Sequence, residues 1–317
     1  MGLKFLITGG LGHIGSKLIR DYAKREDIEL IRIVDNFLVQ RYCSLFDLPQ
    51  TKVKIEFIEA DVRDIEKMRE VMKEIDIVIH LASVTDAPST INDPQLTQKV
   101  IYEGTWNVVN AAMQAKVKRF LYASTTSVYG EAEGIVDENS AEETYKPATP
   151  YAEWKRKTEK LLQKIYQDTG FPIIILRKGT IFGASIGMRF HTAVNKFCYL
   201  AAMNKPLTVW DSALNSKRPY LGLNDCVRAY QFLETNGQPG EIYNIITKNF
   251  GMGEIIDAVK AASKDVKIEI TKSPLLNQKP YHVGDDKIRK LGFVPQDDLY
   301  RDIKETVDLF KAINNRG

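Results

Sequence analysis

Short apolar runs recur along the first half of the chain, at residues 4–8, 30–34, 54–58, 75–80, 120–124 and 173–176. Between them lie longer amphipathic stretches, each long enough for a crossover helix. The runs are nearly all apolar rather than alternating, which is the pattern of parallel strands covered by helices on both faces. The first 180 residues therefore predict an α/β fold, a Rossmann-type doubly wound parallel sheet. From about residue 183 the rhythm changes. A helix is expected over 193–203, strands at 207–210, 218–223, 241–246 and 267–271, and a last amphipathic helix at 299–313. Residues 181–317 thus read as a smaller C-terminal α+β portion, mainly for substrate, from which the chain can cross back to the sheet. No internal repeat or flexible Gly/Ser linker separates the portions, so they are expected to pack directly and close a cleft over the strand ends, where such sheets bind ligands.

The first strand runs into Thr8-Gly9-Gly10-Leu11-Gly12-His13-Ile14-Gly15, glycines spaced G-x-x-G-x-x-G with a helix-like segment after them. Glycines here allow a sharp turn and close approach to a pyrophosphate, which then sits on the unpaired N–H groups of a helix start. Asp35 closes the second strand, 20 residues past Gly15, placed to accept hydrogen bonds from an adenosine ribose. Its charge would repel a 2′-phosphate, which favours NAD over NADP. The plain alternative is a tight turn with no ligand. Asp61-Val62 after the third strand and Leu81-Ala82-Ser83 after the fourth lie where the cofactor would run, although an aspartate there is also a common helix cap.

Tyr151 and Lys155 share one face of a helix opened by Pro150. A phenol becomes a useful base for an alcohol proton when a nearby cation, here Lys155, favours phenolate. Ser124 to Gly130 brings four hydroxyl residues to the end of the fifth strand, where one can bond a substrate oxygen. A surface Tyr/Lys pair and a solvated Ser/Thr turn are the alternatives for each feature alone.

Charge and cysteine content narrow the class. Lys+Arg 44 against Asp+Glu 41 gives +3, with no basic stripe for nucleic acid and no apolar run of membrane-spanning length. Three cysteines, Cys43, Cys198 and Cys226, lack metal-ligand or CxxC spacing, so neither metal nor disulfide framework is expected. The start offers no signal-peptide pattern, and a cytoplasmic location is expected.

Together these segments resemble the extended short-chain dehydrogenase/reductase family, in its NAD-dependent nucleotide-sugar epimerase/dehydratase branch. The resemblance runs through Thr8–Gly15, Asp35-Asn36, Asp61-Val62, His80-Leu81-Ala82, Gly104-Thr105, Ser124–Gly130, Tyr151/Lys155, Leu176-Arg177 and Arg218–Asp225. It implies Tyr151 as general acid/base, Lys155 on the nicotinamide ribose and Thr125 orienting the sugar hydroxyl. It also implies NAD bound by Gly9, Gly12, His13, Ile14, Gly15, Asp35, Asn36, Asp61, Val62, Leu81, Ala82 and Ser83. Substrate contacts fall on Thr126, Ser127, Thr180, Arg189 and Arg218, the last gripping a nucleotide diphosphate. A homodimer is implied through stretches 95–114 and 151–167. Where sugar 4,6-dehydratases follow the catalytic Thr with Asp-Glu, this chain has Thr126-Ser127, which disfavours dehydration. Ile101 and Thr180 replace asparagines usual in relatives, and 211–217 lacks the usual glycine-rich turn. The implied activity is a nucleotide-sugar 4-epimerase. A 4-dehydrogenase releasing the keto sugar and a catalytically silent NAD sensor are the alternatives.

Overall fold

A computed structural model describes residues 2–87, 89–130, 132, 134–214, 217–272 and 281–314; Asn215 and Ser216 of the 211–217 stretch lie outside them. In chain order the strands are β1 (Leu3–Thr8), β2 (Ile28–Asp35), β3 (Lys54–Glu59), β4 (Ile77–His80), β5 (Arg119–Thr125), β6 (Ile135–Val136), β7 (Ile173–Lys178), β8 (Thr180–Phe182), β9 (Leu207–Trp210), β10 (Lys217–Gly222), β11 (Ile242–Ile245), β12 (Lys248–Gly251), β13 (Ile268–Thr271) and β14 (His282–Val283). The α-helices are α1 (His13–Tyr22), α2 (Ile65–Val71), α3 (Pro94–Gln98), α4 (Gly104–Gln114), α5 (Pro150–Thr169), α6 (Ala193–Ala202), α7 (Leu223–Asn236), α8 (Met252–Ala262), α9 (Asp286–Lys290) and α10 (Leu299–Asn314).

Seven strands form one all-parallel sheet in the order β11-β7-β5-β4-β1-β2-β3. The unbroken apolar runs are explained by what covers them. Phe5 and Ile7 of β1 pack with Leu18 and Tyr22 of α1 and Tyr230 and Leu233 of α7. Leu6, between them, faces Met68 of α2, Val108 of α4 and Leu162 of α5. Successive side chains point to opposite faces, so both must be apolar when both faces are covered.

The chain does cross back. Residues 241–246, read as part of the C-terminal portion, supply β11, which pairs with β7 at the sheet edge, and α7 packs on α1. The sheet layer is therefore not confined to residues 1–180. The remainder builds its own core from Phe197 of α6, Ile255 and Val259 of α8, and Ile303 and Val307 of α10. Beside it runs a small sheet, β12-β10-β8. No helix among the described residues is long and apolar enough to cross a membrane.

The helix that carries Tyr151 is sharply delimited. Thr149 accepts the Ala152 N–H, Pro150 opens the first turn, and Gly170 ends it at φ +68°, a left-handed conformation that glycine adopts without a Cβ penalty.

Candidate active site

Register brings the strand ends to one level: Thr8 of β1 stands beside His80 of β4, and Thr125 of β5 beside Lys178 of β7. A cavity of about 460 Å³ opens over that edge, within the ~300–1,000 Å³ typical of small-molecule sites. The C-terminal portion closes it with residues that include Thr180, Arg189, Trp210, Arg218 and Tyr281.

At one end lies the glycine loop, where each glycine answers a different demand. Gly9 adopts φ +65°, and a Cβ there would stand 2.6 Å from the Ala82 nitrogen, so the loop and the segment after β4 touch only because it has none. A Cβ on Gly15 would collide with the Gly10 carbonyl, where α1 packs against the loop. Gly12 is different: its nearest neighbours would be the Gly9 oxygen at 3.3 Å and Arg41 Nη1 at 3.8 Å, which leaves it open to the cavity. Gly12 also caps α1 without a side-chain hydrogen bond, so first-turn N–H groups have no side-chain acceptor, the arrangement that binds phosphate oxygens. Asp35 accepts the Leu11 N–H and the Phe37 N–H, both at 3.1 Å. Each carboxylate oxygen keeps a lone pair for a ribose hydroxyl. Burial pushes its pKa above the ordinary carboxylate value, against these bonds and Arg41. Asp61 is held by Arg63 and by the Asn36 amide at 2.8 Å, which bring its carboxyl down to about 2. These residues fit a dinucleotide with a free adenosine ribose.

A buried relay fixes the strand ends. Thr105 donates to the Ile101 carbonyl, so it accepts from His80 Nε2 at 2.9 Å. His80 Nδ1 then accepts from the Thr8 hydroxyl at 2.6 Å. Burial, with the Lys155 charge, lowers the His80 pKa to about 3. Burial likewise brings His13, whose Nε2 donates to the Gly183 carbonyl at 2.8 Å, to about 3. Both folded values lie below the unfolded value of about 6.5, so between them the unfolded chain binds more protons. Their contribution to stability is complete above pH ~6.5 and is lost as pH falls toward 3. Between pH 7 and 5, thermal melts are expected to show the His80→Asn variant losing less Tm, relative to its own pH 7 value, than the unaltered protein; equal changes would refute the assignment.

At the other end Tyr151 is half-buried. Burial raises its pKa, while Arg189 and a hydrogen bond with Thr125 pull it back. Lys155 is almost fully buried, donates to the Ala123 carbonyl at 2.7 Å and stands 6.0 Å from the Tyr151 ring centre. The cation expected to act on the phenol was Lys155. Arg189 adds a charge that lowers the phenol's pKa, while the Lys155 ammonium, near the ring, donates to the Ala123 carbonyl. The Thr125 hydroxyl accepts the Ser127 N–H at 3.1 Å and so is fixed beside the phenol.

Residues 5–245 match the NAD dependent epimerase/dehydratase family. The chain belongs to that family. A dTDP-D-glucose 4,6-dehydratase of Mus musculus is 32% identical over 97% of this chain and 88% of its own. Among solved structures, a UDP-glucuronic acid 4-epimerase from Bacillus cereus, in complex with UDP-glucuronic acid and NAD, superposes with a TM-score of 0.87. It is 25% identical over 98% of this chain and all of that one. A UDP-glucose 4-epimerase from Thermotoga maritima, with UDP-glucose, gives 0.88 at 21% identity over 98% of this chain and all of that one, a likeness of fold.

For this family member, the residues singled out from sequence converge on the cavity. Gly9, Gly12, His13, Ile14, Gly15, Asp35, Asn36, Asp61, Val62, Leu81, Ala82 and Ser83 line one end; Thr125, Ser127, Tyr151, Lys155, Thr180, Arg189 and Arg218 line the rest. Thr126 is the correction. It is buried with its hydroxyl donated to the Lys178 carbonyl at 3.3 Å and does not line the cavity, because the chain leaves β5 at Thr125 and winds into a short 3-10 turn over Thr126–Tyr129. Sequence reasoning missed Arg41 and Lys178, which line the cavity, and Glu159, which sits beneath it. Lys178 left a legible signal, a cation ending an apolar strand in a sheet covered on both faces.

Proposed function

We propose that the protein is an NAD-dependent nucleotide-sugar 4-epimerase. Bound NAD supplies the hydride acceptor for C4 of the sugar and the donor that returns hydride to its other face. Tyr151 takes the C4 hydroxyl proton and gives it back. Thr125 aligns that hydroxyl, and Lys155 holds the nicotinamide ribose. Arg189 favours the phenolate that burial alone would oppose. Arg218 meets the substrate diphosphate, and the closed cavity keeps the keto sugar in place between the two hydride transfers.

One observation carries this reading over that of the dehydratase relatives. Among the described lining residues the only carboxylates are Asp35 and Asp61, both at the adenosine end. Eliminating water from C5 and C6 needs groups that remove and deliver protons beside the tyrosine, and Thr126-Ser127 supplies no carboxyl there. The test gives NAD-loaded protein UDP-, dTDP- and GDP-linked sugars one at a time and separates the products. The C4 epimer is expected, with NADH never exceeding the enzyme. A 4-keto-6-deoxy sugar, or NADH accumulating past one equivalent, would overturn it.

The assembly we propose is a homodimer through α4 and α5. Trp106 stays 42% exposed there, near the packed rings of Tyr102 and Trp154, 5.7 Å apart. Light scattering at a monomer mass would refute it.

A further inference from the structure

We propose that the sugar accepted by this cavity is acidic, a nucleotide-linked hexuronate, and that Lys178 and Arg189 receive its carboxylate. This rests on the 4-epimerase reading and deepens it by naming the substrate class. The starting observation is an excess of positive charge at the reaction end. Lys155, Lys178 and Arg189 all line the cavity around Tyr151, while the described lining carboxylates lie at the other end.

Lys178 is the least balanced of the three. Its residue is only 8% exposed, and its ammonium meets the Tyr230 hydroxyl at 3.2 Å. Among the described residues no carboxylate lies within 4 Å of it. Asp225, the buried acid of α7 on the same face of the sheet, is already paired with Arg228, and Glu159, on the opposite face, with Arg177. Burial, with Arg189 adding repulsion, brings the Lys178 pKa down to about 8. Arg189 has its Nε enclosed without a hydrogen-bond partner. Asp86 bears on Arg189 and His191 from outside the cavity lining, so part of that charge is answered. A buried ammonium without a counter-ion is costly and is stabilised when a ligand brings the missing anion.

Two anions are already accounted for: the substrate diphosphate does not reach these cations by the geometry of a sugar ring, and the cofactor pyrophosphate, on the loop whose His13 has Arg189 among its neighbouring charges, leaves Lys178 unanswered. The cofactor pyrophosphate belongs on the glycine loop beside Arg41. The substrate diphosphate is joined through C1, across the ring from the C4 hydroxyl that Tyr151 serves. Arg218, placed over the Tyr281 ring at 5.0 Å, lies beside Tyr220 and Tyr281. Arg189, by contrast, acts on Tyr151, and Lys178 stands beside Thr125 by strand register. They flank the C4 end of the sugar. C5 is the next ring atom, and the group it bears is C6, so a carboxylate at C6 falls among Lys178, Arg189 and the hydroxyls of Ser127 and Thr180. Arginine and lysine to carboxylate are charge-assisted contacts, about twice as strong as neutral ones.

The experiment uses donor pairs that differ only at C6: UDP-glucuronate against UDP-glucose, and GDP-mannuronate against GDP-mannose. Each is titrated into NAD-loaded protein by calorimetry, and each mixture is assayed for the C4 epimer. In at least one pair the acidic member is expected to bind about tenfold or more tightly, the effect of a single charge-assisted contact. Lys178→Met should bring that ratio close to one and Lys178→Arg should preserve it, with melting curves confirming that both variants fold. Equal or tighter binding of the neutral member in every pair, or a ratio that Lys178→Met leaves unchanged, would overturn the proposal. Neutral donors epimerised while acidic ones are refused would sink it and leave the 4-epimerase reading standing. Tight acidic donors converted to something other than the epimer would uphold the acidic class and sink the epimerase reading. Failure of every pair to bind would remove both.

Discussion

Tyr151→Phe is expected to lower kcat by about 10²–10⁴-fold, the range for loss of a positioned proton-transfer group, while NAD stays bound. The phenol oxygen is the single atom removed. The ring remains packed on α5, whose start is fixed by Thr149 and Pro150, so the cavity keeps its shape. The glycine loop, Asp35 and Lys155 are untouched by the change and lie on other elements or another turn. Measured kcat for the best donor, beside the NAD content of the purified variant, separates the two quantities. Activity within a few-fold of the unaltered protein would show that another group moves the proton. Loss of NAD together with activity would show that Tyr151 holds the cofactor rather than the proton.

The second large effect is on stability. Glu159→Ala is expected to destabilise the fold by about 3–5 kcal/mol, the cost of leaving one member of a buried ion pair alone. Burial would raise the Glu159 pKa, but Arg177 and the Ser124 hydroxyl hold it below the ordinary range. Its two oxygens accept from Arg177 at 2.9 and 2.8 Å, from Ser124 at 2.5 Å and from Arg156 at 3.1 Å. Arg177 is 0% exposed, so its charge would have no water to turn to, and the Tyr129 and Tyr145 hydroxyls at 2.9 Å carry no formal charge to balance it. The pair also ties α5 to β7, one turn below Lys155, so kcat should fall along with stability. Urea unfolding with a common slope reads the difference in midpoint. A loss below about 1 kcal/mol, ordinary for an exposed pair, would mean that water reaches Arg177 in the folded protein.

Much of the architecture was legible in the chain because its signals are local. An unbroken apolar run needs cover on both faces wherever it occurs, so residues 4–8 and 120–124 declared a parallel sheet before their partners were known. The glycine spacing and Asp35 were legible for the same reason, since a tight turn, a helix start and a strand end are each set within a few residues. Tyr151 and Lys155 share a helix face by the period of the helix alone. What spacing could not give was direction between elements. It placed Lys155 near Tyr151 without showing that its ammonium turns to the Ala123 carbonyl, and it counted Thr126 with its neighbours although the turn that follows β5 sends its hydroxyl to the Lys178 carbonyl. Residues 241–246 were legible as a strand, but only packing decided that they return to the large sheet. Arg189, Lys178 and Arg41 come from separate segments, and the charge that each places on the cavity exists only once those segments are brought together. The sequence by itself determined the sheet, the phosphate-binding turn and the pairing of tyrosine with lysine, because these depend on neighbours along the chain. Tertiary structure alone decided that the Arg189 charge joins Lys155 near the phenol and where the cavity is positive, because electrostatics and burial depend on neighbours in space.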